Sequence, residues 1–318
     1  MAEQKFNNGP KIIAAIPAFN EERYIGTVVL KARQYVNEVI VVDDGSTDRT
    51  TDIARFAGAT VIRHERNKGY GASIQTILAE IKKREPDILV LLDADSQHNP
   101  DEIPDLIKPI VSEGSDLVIG SRKWQRGNIP VYRRIGQRVL SYFSYILSEK
   151  KLTDSECGFR AFSWKAVIML EVSQRGMPVS AETIAIAADR GLKITEIPIS
   201  AIYTKDSSTL NPVVHGLGNL NAIITMISQR RPLLFFSMLG FITMVVGLIA
   251  GARVLYITSV GGSIAIGTAL VSILFFVIGA LSIFTGMISF LSFSAARNLT
   301  MAKGIPRVKA PTIKLIVT

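Results

Sequence analysis

Short apolar runs separated by amphipathic stretches pattern the first 120 residues of the chain. Lys11-Ile-Ile-Ala-Ala-Ile-Pro17 reads as a buried strand closed by proline, and Glu38-Val-Ile-Val-Val-Asp43 as a second. Thr60-Val-Ile-Arg63, Ile88 to Leu92 and Leu117-Val-Ile-Gly120 follow as further strands. Such short runs rich in Ile and Val are what strands covered on both faces show. Between them the spacing predicts helices from Glu22 to about Tyr35, to about Ala57, from Gly69-Tyr-Gly71 to Lys83, and from near Glu102 to Ser112. The turn Asp44-Gly45-Ser46-Thr47-Asp48 supplies helix-capping residues before the second of these. Strands alternating with helices predict an α/β, doubly wound, mostly parallel sheet, in which ligands bind beyond the carboxyl ends of the strands.

The pattern changes after residue 120. Arg122 to Lys151 is basic, with a helical pattern over about 131–149 in which Arg133, Arg134 and Arg138 alternate with Ile135, Val139, Leu140, Tyr142, Phe143 and Ile146. A helix with a solvated charged face and an amphipathic helix lying in a bilayer interface both fit. Residues 212–231 have similar character. Leu233 to Ala252 then carries no charge, and Val254 to Ala296 carries none either. The turn residues Thr258-Ser-Val-Gly-Gly-Ser263 divide this region into two expected transmembrane helices, about 233–256 and 264–293. The second exceeds a bare span, so it is expected to tilt or project. The expected organisation is a cytosolic α/β domain over 1–211, a juxtamembrane amphipathic helix over 212–231, the hairpin over 232–296 and a basic cytosolic tail over 297–318.

Charge sharpens this. The 318 residues are 48% hydrophobic with a mean hydropathy of +0.29, and 36 Lys and Arg against 27 Asp and Glu give a net +9. Every acid lies at or before Asp206, while residues 207–318 hold eight Arg or Lys and no acid, so the basic part is also the apolar part. That pairing points to a bilayer with anionic head groups and away from nucleic acid. Arg230 and Arg231 precede the hairpin and Arg297, Lys303, Arg307, Lys309 and Lys314 follow it, so the positive-inside rule predicts an integral membrane protein with the α/β domain and both termini in the cytoplasm. Met1 to Lys11 lacks an apolar core, so no cleavable signal peptide is expected. The lone Cys157 permits no intrachain disulfide. A homo-oligomer is left open.

The candidate chemistry sits at Val90-Leu-Leu-Asp93-Ala-Asp95-Ser-Gln97-His98. With an extended backbone, Asp93, Asp95 and Gln97 would present oxygens to one point, an arrangement suited to Mg2+ or Mn2+; a solvated acidic turn is the plain alternative. Asn20-Glu21 and Asp43-Asp44 fall at the same edge of the sheet. Gly69-x-Gly71 has Ile74 where a dinucleotide fingerprint wants its third glycine, and no Gly-Lys-Ser/Thr P-loop occurs.

Ile16-Pro-Ala-Phe-Asn-Glu-Glu22, Val42-Asp-Asp-Gly-Ser46, Asp93-Ala-Asp-Ser-Gln-His98 and Cys157-Gly-Phe-Arg160 together resemble family 2 glycosyltransferases of the GT-A fold. Within them the chain is similar to the dolichyl-phosphate mannose synthases and polyprenyl-phosphate glucosyltransferases, over about residues 11–211. The resemblance implies transfer of mannose or glucose from GDP-mannose or UDP-glucose to dolichyl or polyprenyl phosphate, with inversion and a divalent metal. It implies that Pro17, Phe19, Glu21, Asp44 and Asp93 border the nucleotide, and that Asp93, Asp95 and Gln97 hold the metal and diphosphate. Asp95, Arg122, Arg133 and Arg160 would be catalytic, with Arg122, Arg133, Lys205 and Ser208 gripping the acceptor phosphate. Departures are Phe19 for a common Tyr, Gln137 and Cys157 for frequent Ser, and Ser208-Thr-Leu210 for Ser-Lys-Leu, with Lys205 expected to supply the missing cation. The alternative is a family 2 enzyme acting on a hydroxyl, with Glu182 or Asp154 as general base; the Gln-x-x-Arg-Trp motif of processive synthases is absent.

Overall fold

The computed structural model describes residues 9–122, 152–173, 176, 179–200, 224–225, 227–228, 231–261, 263 and 266–302, with side chains of the last helix to residue 292. The chain divides into two compact units, Met1–Ile223 and Ile224–Thr318.

In the first unit the apolar runs form the expected strands: β1 (Ile12–Ala18), β2 (Glu38–Asp43), β3 (Thr60–Arg63), β4 (Ile88–Leu91) and β5 (Leu117–Ser121). Helices α1 (Ile25–Ala32), α2 (Thr50–Phe56), α3 (Tyr70–Arg84) and α4 (Ile103–Glu113) alternate with them. α1 buries Ile25, Val28, Val29 and Ala32, a single helical stripe laid on the sheet. α3 ends with Lys82, Lys83 and Arg84, cations that complement the carboxyl end of the helix dipole.

Two further strands lack a long apolar run. They are β6 (Arg160–Ser163) and β7 (Ile194–Pro198), accompanied by α5 (Trp164–Met169) and α6 (Val179–Asp189). The seven-stranded order is β3-β2-β1-β4-β6-β5-β7. β6 runs antiparallel to both β4 and β5, and the other pairings are parallel. β6 therefore begins where β4 and β5 end: Arg160 stands opposite Leu91 on one side and Ile119 on the other.

The order reverses between β1 and β4, which opens a crevice beyond their carboxyl ends. Pro17 is tolerated in this central strand because β4 pairing stops at Ala15–Leu91, leaving Pro17 beside Val42 of β2. Past that point the missing N–H costs no ladder bond to β4.

The second unit contains α7 (Pro232–Ser259) and α8 (Ile266–Ala302). Both have stretches long and apolar enough to cross a bilayer, Pro232–Ser259 and Ile266–Ser292. Their apolar side chains face outward, as Ile249 at 66% and Leu281 at 59% exposure illustrate, which is the reverse of a core hairpin in a soluble protein. Glycine brings the two backbones together. A Cβ on Gly240 would lie 2.5 Å from the Gly279 carbonyl oxygen, and one on Gly279 2.6 Å from that of Gly240. Ser272 Oγ donates to the Gly247 carbonyl at 2.6 Å and Ser282 Oγ to that of Phe236 at 3.0 Å. Small residues and hydroxyl bridges are how helices associate where lipid removes the hydrophobic drive. At about 1.5 Å per residue, α8 runs for roughly 55 Å and outlasts a bilayer core of about 30 Å.

Candidate active site

The loops after β1 and β2 are stitched into one wall. Asn20, at φ 56°, accepts from the Thr47 amide at 2.8 Å through Oδ1, while its own amide donates to Ser46 Oγ at 2.9 Å. The Glu21 amide donates to Thr50 Oγ1 at 2.8 Å, and Glu22 accepts from the Arg49 amide at 3.0 Å. Phe19, expected beside the nucleotide, stands 41% exposed on this wall. Pro17, expected there too, is buried within β1.

Asp44, also expected to border the nucleotide, is tied into the surrounding loops. It is 4% exposed and accepts from the Lys68 amide at 2.9 Å, the Gly69 amide at 2.7 Å and His64 Nδ1 at 2.7 Å. It organises the entry to α3. Its neighbour Asp43 is likewise internal, accepting from the Ser46 amide at 2.9 Å and from Thr51 Oγ1.

Beyond β4 the chain turns where extended backbone was expected. The strand ends at Leu91, Ser96 takes a left-handed φ of 61°, and Asp95 Oδ1 accepts from the Gln97 amide at 3.0 Å. An Asx-type turn thus replaces the two-residue alternation, and the Gln97 main chain is what meets Asp95. Asp93 is enclosed on three sides. Tyr70 OH donates to Oδ1 at 3.5 Å, His98 Nδ1 lies 3.6 Å from Oδ2, and a Cβ on Gly158 would collide with both carboxylate oxygens.

Electrostatics ties these carboxylates to one volume. Burial raises the Asp93 pKa, against the pull of Arg122 and Arg160. Burial and then the Asp93 charge raise that of Asp95. Glu21 is pushed up to about 7 by burial, then by Asp95, Asp48 and Asp93. A shared cation would relieve this repulsion. Among the described residues no three His, Cys, Asp or Glu side chains form a closed metal cage. The half-built site fits Mg2+ or Mn2+, which bind through one or two carboxylates with substrate phosphates and water completing the shell. Because the folded chain holds the Glu21 proton more tightly than the unfolded chain does, that contribution to stability is full below about pH 4.5 and is lost as pH rises through about 7. Glu21→Gln is therefore expected to flatten the decline of the thermal midpoint in detergent between about pH 5 and 8; parallel wild-type and variant curves would contradict the shift.

The opposite wall comes from the end of β5 and from residues 153–160. Arg122, expected on the acceptor phosphate, is gripped by Asp154 in a fork, Nε to Oδ2 at 2.7 Å and Nη2 to Oδ1 at 2.9 Å. Arg160, expected among the catalytic cations, is 3% exposed and donates to three carbonyls: Cys157 at 2.8 Å, Ser180 at 3.0 Å and Ser155 at 2.7 Å. It braces the turn that carries Gly158, and its charge reaches Asp93 through the interior. Glu182, weighed as a base, accepts from the Ser173 amide at 2.9 Å and hydroxyl at 2.6 Å. Sequence reasoning passed over Glu156. Its Oε1 is buried without a partner among the described residues, and burial pushes its carboxyl up to about 7. Nothing in the local sequence marks it. Arg133, Lys205, Ser208 and the expected helices over 131–149 and 212–231 lie wholly or largely outside the described residues, as does the tail beyond residue 302.

The family model of Glycosyl transferase family 2 matches residues 13–168. Over 220 residues the chain is 36% identical to UDP-N-acetylglucosamine–dolichyl-phosphate N-acetylglucosaminyltransferase of Methanococcus voltae, covering 62% of this chain and 87% of that one. Over 203 residues it is 30% identical to dolichol-phosphate mannosyltransferase of Pyrococcus furiosus, covering 60% and 56% respectively. Glucosyl-3-phosphoglycerate synthase from Mycobacterium tuberculosis, solved with Mn2+, UDP and phosphoglyceric acid, superposes with a TM-score of 0.56 at 24% identity over 70% of this chain and 78% of that one.

Proposed function

The chain belongs to glycosyl transferase family 2, and from that premise we propose that it moves a hexose or N-acetylhexosamine from a nucleoside diphosphate sugar to dolichyl or polyprenyl phosphate at a membrane surface. It is a glycosyltransferase, and the names of its relatives support a polyprenyl-type phosphate as acceptor. They also widen the sugar expected from sequence, mannose or glucose, to include N-acetylglucosamine. The observation that carries the donor half is the acidic turn at the crevice, with Asp93 enclosed by Tyr70, His98 and Gly158 and Asp95 held by the Gln97 amide, both near enough to Glu21 for their charges to raise its pKa.

Asp93 and Asp95 would hold a divalent metal, which neutralises negative charge on the departing diphosphate when bound. Glu21 and Phe19 would border the nucleotide on the stitched wall. A phosphate monoester has a second pKa of about 6, so the acceptor oxygen arrives largely ionised. It attacks the anomeric carbon, the bond to the diphosphate oxygen breaks, and configuration inverts with no proton to remove. What the acceptor needs is cationic positioning against a second anion. Arg133 and Lys205 would supply it, with Arg122 held in a fixed direction by Asp154. Arg160 becomes a positioning residue. The two helices α7 and α8 would keep the enzyme beside its lipid, with both termini in the cytoplasm.

Glu156 favours a second reading, in which its proton-accepting carboxyl serves a hydroxyl acceptor. One assay separates the two: membranes carrying the protein, a panel of labelled nucleotide sugars, and either polyprenyl phosphate or the free polyprenol. Label entering lipid with the phosphate alone supports the proposal, and label entering with the alcohol alone overturns it. In the same assay Arg133→Ala is expected to raise KM for the lipid phosphate by roughly tenfold or more with little change for the donor. Equal changes for both substrates would remove Arg133 from the acceptor side.

A further inference from the structure

His98 closes the Asp93-to-His98 segment, and the reaction as described gives it no part. It is 2% exposed, its ring stacks on Phe159 with centroids 5.5 Å apart and planes 20° from parallel, and its Nδ1 is buried without a hydrogen-bond partner. Around it lie two groups that matter. Cys157 Sγ is 3.7 Å from Nε2, and Asp93 Oδ2 is 3.6 Å from Nδ1.

These contacts bear on where the ring carries its proton. A thiol is a weak donor and its sulfur a weak acceptor, so the ordinary role of Cys157 toward a ring nitrogen is to donate its one proton. For Cys157 the nearer acceptor is His98 Nε2 at 3.7 Å, with the Phe159 carbonyl at 4.0 Å. Burial, which pushes the thiol up to about 12, keeps that proton in place. A thiol donating to Nε2 leaves the ring proton on Nδ1. The other side of the ring favours the same tautomer, because a bare Nδ1 would point a lone pair at the Asp93 carboxylate 3.6 Å away.

Resting on the proposed role of Asp93 at the donor diphosphate, we propose that His98, as its Nδ1–H tautomer, is the positioning residue that orients the Asp93 carboxylate. Cys157 sets the tautomer and Phe159 sets the ring plane. At 3.6 Å the pair stands just outside hydrogen-bond range, as catalytic contacts in ligand-free enzymes often do before they tighten on binding. Tyr70 and Gly158 confine Asp93 on its other sides, so the histidine decides the remaining freedom of the carboxylate. A partner of this kind behind a metal-holding group typically changes metal affinity by roughly 10- to 100-fold.

The test uses the full chain in detergent. With 15N-histidine, the three histidines of the protein report protonated and bare ring nitrogens in separate spectral ranges, and His98→Gln identifies the His98 signals. A protonated Nδ1 is expected; a protonated Nε2 overturns the proposal without any variant assay. His98→Asn places an amide N–H where Nδ1–H was, and His98→Gln places one where Nε2 was. The Asn variant is expected to keep the half-activating Mn2+ concentration, and the Mn2+ binding read by electron paramagnetic resonance, within about threefold of wild type. The Gln variant is expected to weaken both by roughly tenfold or more. Equal losses in the two variants overturn the proposal, as does a Gln variant that matches wild type. Thermal midpoints report any folding loss, and the wild-type spectrum decides where a variant fails to fold. Failure of the functional reading is separate, because wild-type transfer would then show no response to Mn2+ whatever the tautomer.

Discussion

Asp95→Asn is expected to lower transfer by roughly three orders of magnitude while the protein folds and inserts normally. The carboxamide keeps an oxygen to accept the Gln97 amide, the bond that holds the turn with Ser96 at a left-handed φ. It removes the charge and replaces one acceptor oxygen by an NH2 donor. If that charge helps hold a metal against a departing diphosphate, several kcal/mol of transition-state stabilisation is at stake, and each 1.36 kcal/mol is a factor of ten. The Asp95 charge is among the causes that raise the Glu21 pKa, so removing it should also draw Glu21 back toward its ordinary range. The measurements are turnover by purified wild type and variant across Mn2+ concentrations, and nucleoside diphosphate binding with and without chelator. A variant fully active in chelator would remove the metal from Asp95.

Gly158→Ala is the second large effect. The glycine does not occupy a left-handed φ, so alanine fits the backbone. The methyl group nevertheless lands on both oxygens of Asp93, whose side chain must move. Displacing a reacting-centre group by about 1 Å can cost on the order of a hundredfold, and a loss of that size in kcat/KM is expected with a thermal midpoint near that of wild type. Unchanged kcat/KM would mean that Asp93 moves freely or stands away from the reaction. The Gly-Phe-Arg motif then has separate physical duties. Glycine admits Asp93, Phe159 carries the His98 ring, and Arg160 ties down the carbonyls of the turn.

The strands that position this site could be read from sequence because each is buried on both faces and therefore strongly apolar. β6 could not, because it is four residues long and opens on an arginine whose charge is met by distant carbonyls. β7 is a half-buried five-residue strand ending in proline, with nothing to separate it from a loop. The acidic residues after β4 were visible, yet their conformation was not. Alternation assumes extended backbone, and Asp95 bonding to the amide two residues on produces a turn. Asp44 shows the same limit from the other side. His64, Lys68 and Gly69 return to this aspartate from 20 or more residues away, and local sequence does not encode that return.

The place of β6 also bears on how the chain matures during synthesis. β4 reaches its second neighbour, and β5 both of its neighbours, only after later segments have been made. Until Arg160–Ser163 emerges, a nascent chain carries β4 as an open edge and β5 as an unpaired apolar strand, both prone to mispairing. The same insertion delivers Gly158 to Asp93 and Arg160 to its carbonyls. The crevice beyond β1 and β4 is therefore completed in the step that closes the sheet, and a chain stalled before that step holds most of its acidic residues without the wall that encloses Asp93.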